Sequence, residues 1–190
     1  MRHTRRELLA ATAGGAVLGA ASGCQGAFAR SEPAVLTYKG IDIRWSVDRT
    51  ERYVAALCWL WSDGRSRVVG WEPAEYPEIV RSPAAVSVTG ETPRRLRERF
   101  EAVTYVLGFS GAEATELSPL ESTFGQVVVS RERFNRVGFT DRARVARTDR
   151  GVRVRGVDPG GNGDLAGWDV DIGSKDLREQ FPDSGVPPPG

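Results

Sequence analysis

The chain has 190 residues, 40% of them hydrophobic and 27% charged, with 26 basic and 25 acidic side chains. That length suits one domain and that apolar content a buried core, while the even charge balance argues against a general nucleic-acid binder, which needs a cationic surface. The sole histidine is His3 and the only cysteines are Cys24 and Cys58, so the body lacks the means for Ser-His-Asp or Cys-His catalysis, a His-ligated metal or a disulfide framework.

In chain order, the first element is Thr4-Arg5-Arg6-Glu7-Leu8-Leu9, running into an apolar stretch that ends at Ala21. Leu8 to Ala21 is shorter than the roughly 20 residues that cross a bilayer, so it reads as a signal over residues 1–23 and not as a membrane span. The motif resembles that of twin-arginine exported proteins. The resemblance implies a partner, the twin-arginine translocase, and passage across the membrane of a body already folded. Ala21-Ser22-Gly23-Cys24 resembles a lipobox, with Ala21 where Leu is usual. It implies lipid attachment at Cys24 and an extracytoplasmic protein anchored to the cell membrane. Ala27-Phe28-Ala29 is a competing A-x-A cleavage site that would release a secreted, soluble protein. The lipobox is the preferred reading, because a Cys just after the apolar run is otherwise hard to explain in a chain so poor in Cys. One acyl chain holds a membrane only marginally, so the anchor needs further chains or a second contact. Without residues 1–23 the chain keeps 23 basic and 24 acidic side chains.

Residues 24–34 read as a tether, 35–182 as a single globular domain and 183–190 as a disordered Pro-rich tail. Ile41 to Val47 alternates apolar and polar, predicting a strand with one buried face. Tyr53 to Trp61 is a continuous apolar run suited to a central strand, and Ser62-Asp63-Gly64 turns it into a hairpin with Arg65 to Trp71. Residues 72–83, with three prolines, predict a loop, and Ala84 to Val88 a short strand. The strongest predicted helix is Pro93 to Leu107, capped by Thr92 and ended by Gly108, with Leu96, Phe100, Val103 and Leu107 as its apolar stripe. Phe124 to Ser130 predicts another strand, Ala143 to Arg147 and Val152 to Val157 a second hairpin, and Trp168 to Ile172 a last strand. Lys175 to Phe181 predicts a closing helical turn. The sum is an α+β domain: a mainly antiparallel β-sheet with one main α-helix packed on one face.

Three features could carry function. Asp158 to Asp169 resembles a twelve-residue EF-hand calcium loop, with Asp158, Asn162, Asp164 and Asp169 as oxygen donors and Gly163 at the sharp turn. It departs from the pattern at Gly160, and it ends in Asp where the family has Glu. A polar Gly-rich turn uses the same residue types and is the preferred reading, with no cofactor. Arg142, Arg144, Arg153 and Arg155 lie in a basic run over 131–155, where alternation puts Arg153 and Arg155 on one strand face, an anion-binding candidate. The acidic run over 158–183 that follows is expected to neutralise it. Trp45, Trp59, Trp61 and Trp71 cluster in the first strands, as a sugar platform or, the preferred reading, as core alongside Leu57. Carboxylate pairs such as Asp169 with Asp171 or Glu72 with Glu75 are the raw material of a hydrolase. The leading expectation is a non-enzymatic envelope module for binding or an accessory role, and the alternative is an exported hydrolase using paired carboxylates.

Overall fold

The computed structural model describes residues 30–47, 51–111, 125–139, 141–148, 151–158 and 165–177. The twin-arginine motif, Cys24, Ala27 to Ala29 and the 183–190 tail lie outside the described residues. Ten strands and two short helices follow in chain order: β1 (Ser31–Val47), β2 (Glu51–Ser62), β3 (Arg67–Pro73), β4 (Val80–Ser82), β5 (Ala85–Val86), α1 (Thr92–Arg99), β6 (Ala102–Gly111), β7 (Gly125–Val129), α2 (Arg131–Arg136), β8 (Arg142–Thr148), β9 (Gly151–Asp158) and β10 (Asp169–Lys175). The class is α+β in its coarse form, a large mixed sheet with few helices.

β1 is the spine of an eight-stranded sheet. One of its edges pairs with β2 over Tyr38–Val47 and then with β8 over Ser31–Val35, and the other edge pairs with β6 over Ala34–Arg44. β3 and then β10 extend the sheet beyond β2, β7 extends it beyond β6, and β9 extends β8. All pairings are antiparallel except β10 on β3, which is parallel. Residues 31–34, expected in the tether, are therefore strand. Pro33 lies opposite Arg144 in the β8 ladder, one residue before the β6 pairing begins at Ala34.

The expected helix 93–107 stops at Arg99. Phe100 is extended (φ −122°, ψ 143°), and the Glu101 N–H donates to the Arg44 carbonyl at 2.9 Å, delivering the chain to the sheet as β6. Val103 and Leu107 thus belong to a strand. Val106 to Ser110 are all buried, because β6 lies between two neighbours with both faces covered. The 131–136 segment, for which the sequence analysis predicts no element, is α2, started by Ser130 whose side chain accepts from the Arg133 N–H at 3.3 Å.

The inner face of the sheet carries Ile41, Ile43, Leu60 and Leu107, packed against Tyr76, Ile79, Leu96 and Phe134 from the segments that cross it. Each such side chain contributes about 1.5–3 kcal/mol of burial. The first hairpin is tied by Asp63, whose Oδ1 accepts from the N–H groups of Arg65, Ser66 and Arg67 at 2.8–3.0 Å. A β-bulge at Leu57 corrects the aromatic reading. Register passes from Ile41↔Cys58 to Asp42↔Ala56, so Leu57 joins Cys58 and Leu60 in the main core. Trp59 and Trp61 face the other way, across from Gly40 and Tyr38, with Trp59 also opposite Trp71. Trp61 and Trp71 are buried there, outside the main cluster, and Lys175 Nζ stands 5.3 Å above the Trp71 ring.

Candidate functional site, an arginine-rimmed groove

The second hairpin supplies the site. Along β8, Arg142 and Arg144 are exposed and Ala143 and Val145 buried; along β9, Arg153 and Arg155 are exposed and Val154 buried. Register pairs Arg144 with Gly156 and Val145 with Val154, leaving Arg155 as the extra residue of a bulge. The four expected arginines therefore share the outward side of the hairpin. Bulges commonly re-aim a side chain, and Arg155 lines a groove between β9 and α2.

That groove has two adjoining sections. One, about 510 Å³, runs between β7 and β9 and is lined by Val127, Val129, Val152, Arg133 and Arg153, among others. The other, about 390 Å³, runs between α2 and β9 and is lined by Arg133, Arg136, Arg155, Val137 and Val157, among others. Its chemistry is a valine lining with a guanidinium rim. The one acid in the lining, Glu132, stands 3.5 Å from Arg131. Arg133 and Arg136 also belong to the basic run over 131–155. Their place opposite Arg153 and Arg155 depends on α2, for which the Ser130 cap and Glu132 in the first turn were the available signals.

α2 is held from beneath. Asn135 clamps Val88, its Nδ2 donating to the Val88 carbonyl at 3.0 Å and its Oδ1 accepting the Val88 N–H at 2.8 Å. Lys39, on the buried face of β1 and 2% exposed, donates to the carbonyls of Val86, Phe134 and Val137 at 2.7–2.8 Å. Those three acceptors use all three ammonium protons. Burial pulls the Lys39 pKa down to about 7, against the upward pull of Asp141. Neither Lys39 nor Asn135 reaches the groove; both fix the helix that forms its wall.

Of the described acids of the run, none lines the groove. Asp158 stands opposite Arg142 across the β8–β9 ladder, whereas β10, carrying Asp169 and Asp171, is hydrogen-bonded to β3, where Asp169 meets Arg67 at 3.4 Å.

Of the calcium candidates, Asp158 and Asp169 are among the described residues. Asp158 closes β9 opposite Arg142, and Asp169 opens β10 with its N–H donating to the Ser66 carbonyl at 2.7 Å. Asn162 and Asp164 lie outside the described residues. Among the described residues no group of three or more His, Cys, Asp or Glu is placed to hold a metal ion. Of the carboxylate pairs, Asp169 and Asp171 are exposed on β10, whereas Glu75 is turned inward to Arg99 at 3.8 Å and accepts the Leu177 N–H at 3.3 Å. No helix among the described residues is long and apolar enough to cross a membrane. Compared with protein-family models, with curated proteins and with solved structures, the chain matches none.

Proposed function

We propose that this chain is an exported, lipid-anchored envelope protein whose body is a non-enzymatic binding module for an anionic partner. One observation carries the binding half: Arg133 and Arg136 on α2 and Arg153 and Arg155 on β9 line one groove, and none of Asp158, Asp169, Asp171 and Asp176 lines it. A focused cationic cleft on a nearly neutral body attracts anions without making the whole protein polycationic. The address half rests on the resemblance of Thr4 to Leu9 to the twin-arginine motif and of Ala21 to Cys24 to a lipobox. The reading needs no cofactor.

Two measurements test it. Despite its balanced net charge, the protein should be retained on a cation-exchange resin at pH 7 and elute with salt. Arg153→Glu with Arg155→Glu should abolish retention, and equal retention of both proteins would remove the binding half. In cells, Arg5→Lys with Arg6→Lys should trap the precursor in the cytoplasm, and Cys24→Ala should release the body from the membrane fraction. A Cys24→Ala protein still in the membrane would remove the anchor.

A further inference from the structure

Resting on the anchored, anion-binding reading, we infer that the arginine groove is the face this protein lays on its own membrane, where it holds anionic lipid headgroups. The chain enters the fold beside that groove. β1 begins at Ser31, which pairs with Ala146 of β8, and Ala146 pairs in turn with Arg153 of β9. Neighbouring strands stand about 4.8 Å apart, so Ser31 lies on the order of 10 Å from a residue of the groove lining. β1 runs antiparallel to β8, so its N-terminal end points toward Thr148, which also lines the groove. Ser31 follows Cys24 by seven residues, and that many extended residues span at most about 25 Å. A lipid on Cys24 therefore keeps this end of the sheet close to the headgroups.

The same end is cationic. Arg133, Arg136, Arg153 and Arg155 line the groove, while Arg147, opposite Val152, and Arg30, just before Ser31, are exposed at the same end. Val128, also in the lining, is 67% exposed. Guanidinium groups pair well with phosphates, and an exposed valine among them suits the boundary between headgroups and acyl chains. Among the described residues the acids nearby are Glu132, which stands 3.5 Å from Arg131, Glu32 opposite Val145, and Asp158 opposite Arg142. Tethering makes headgroup binding a local event at high effective concentration, so contacts too weak for a free protein suffice. Salt screens such pairing, so the groove steadies a tethered body without holding an untethered one through a membrane wash. A free phosphate or a soluble acidic peptide gains nothing from the tether, and the membrane is for that reason the favoured partner.

The experiment places an environment-sensitive dye on full-length Cys24→Ala protein at Val128→Cys or at Val54→Cys. Val54 is 69% exposed on β2 opposite Arg44, toward the other end of β1. Phosphatidylglycerol vesicles should shift the Val128 dye to the blue and leave the Val54 dye unchanged; phosphatidylcholine vesicles should shift neither. Arg153→Glu with Arg155→Glu should remove the Val128 shift and weaken partitioning onto phosphatidylglycerol by about tenfold or more. Arg44→Glu with Arg52→Glu, exposed residues beside Val54, changes the net charge equally and should weaken it far less. All these proteins share residues 1–23, so the differences belong to the body. Equal loss from the two arginine pairs overturns the inference in favour of net charge, and equal shifts of the two dyes overturn it by removing the orientation. Stabilisation by inorganic phosphate, or binding of a poly-aspartate peptide, with no dye shift on phosphatidylglycerol overturns it in favour of a soluble anion or an acidic peptide. Retention on the cation exchanger without the Val128 shift sinks this inference alone, and loss of both sinks the binding reading beneath it. The dye-bearing proteins lack Cys24, so a failed anchor is read separately, from the cell fractions, and removes the premise.

Discussion

Lys39 holds Phe134 in two ways: its Nζ donates to the Phe134 carbonyl at 2.8 Å and lies 4.3 Å from the centroid of the Phe134 ring. With the bonds to Val86 and Val137, this joins β1, β5, α2 and the residue that follows α2 through one ammonium. Lys39→Met keeps the length of the stem and leaves three buried carbonyls without their donor. The expected cost is about 1–3 kcal/mol, the range for leaving buried acceptors unsatisfied. Urea unfolding of the two proteins measures it. A loss below ~1 kcal/mol would mean that the carbonyls find other partners.

The same group gives stability a pH dependence of known sign. The native Lys39 gives up its proton near pH 7, whereas the unfolded chain holds it to the ordinary 10.5. Between those values unfolding takes up a proton, so stability rises with pH, by at most about 1.4 kcal/mol per pH unit. Above pH 9 Cys58 acts the other way. Burial pushes its thiol up to about 12 from an ordinary 9.0, so the unfolded thiol ionises first and stability falls. Lys39 therefore shows cleanly between pH 7 and 9. The slope measured there by urea midpoints should flatten in Lys39→Met, and an unchanged slope would remove Lys39 as its source.

Cys58 is fully buried on β2. A thiolate is the reactive form, and burial disfavours it. In Cys24→Ala protein, a thiol reagent at pH 8 should therefore label Cys58 only as fast as the chain opens, and rapidly in denaturant. Labelling of the native protein at the rate of a free thiol would contradict the packing around β2.

At Gly70 β3 passes close against β2. Its φ is +154°, and a Cβ there would collide with the Trp59 carbonyl oxygen. Gly90 also has a positive φ, +60°, but a Cβ there meets nothing within 4 Å. Gly90→Ala should cost about 1–2 kcal/mol of backbone strain alone. Gly70→Ala adds displacement of backbone and should cost more, about 3 kcal/mol or above. Thermal unfolding of the two variants orders them, and equal melting temperatures would refute the close crossing.

Much of the sheet was legible because strand signals are local. The alternation of Ile41 to Val47, the turn at Asp63-Gly64 and the Arg-Val alternation of 152–155 each predicted a strand or hairpin that is present. The helix over 93–107 was misread past Arg99 because Leu96, Phe100, Val103 and Leu107 satisfy a helical spacing. The same residues also suit a doubly covered strand, and no local rule chooses between them. The Leu57 bulge was equally invisible, since alternation alone carries Leu57 and Trp59 onto one face.

What the sequence determined by itself was therefore composition and local conformation: a body without histidine beyond residue 3, two hairpins, and Arg153 with Arg155 on one strand face. Only the tertiary structure decided which strand edges meet. Pairing β10 with β3 sets Asp169 beside Arg67 and outside the groove lining, and setting α2 beside β9 turns a row of arginines into a groove with two walls. The physical reason is that edge pairing and charge placement depend on residues far apart in the chain. Lys39 shows it most directly: a lone lysine in sequence, it holds α2 through carbonyls up to 98 residues away.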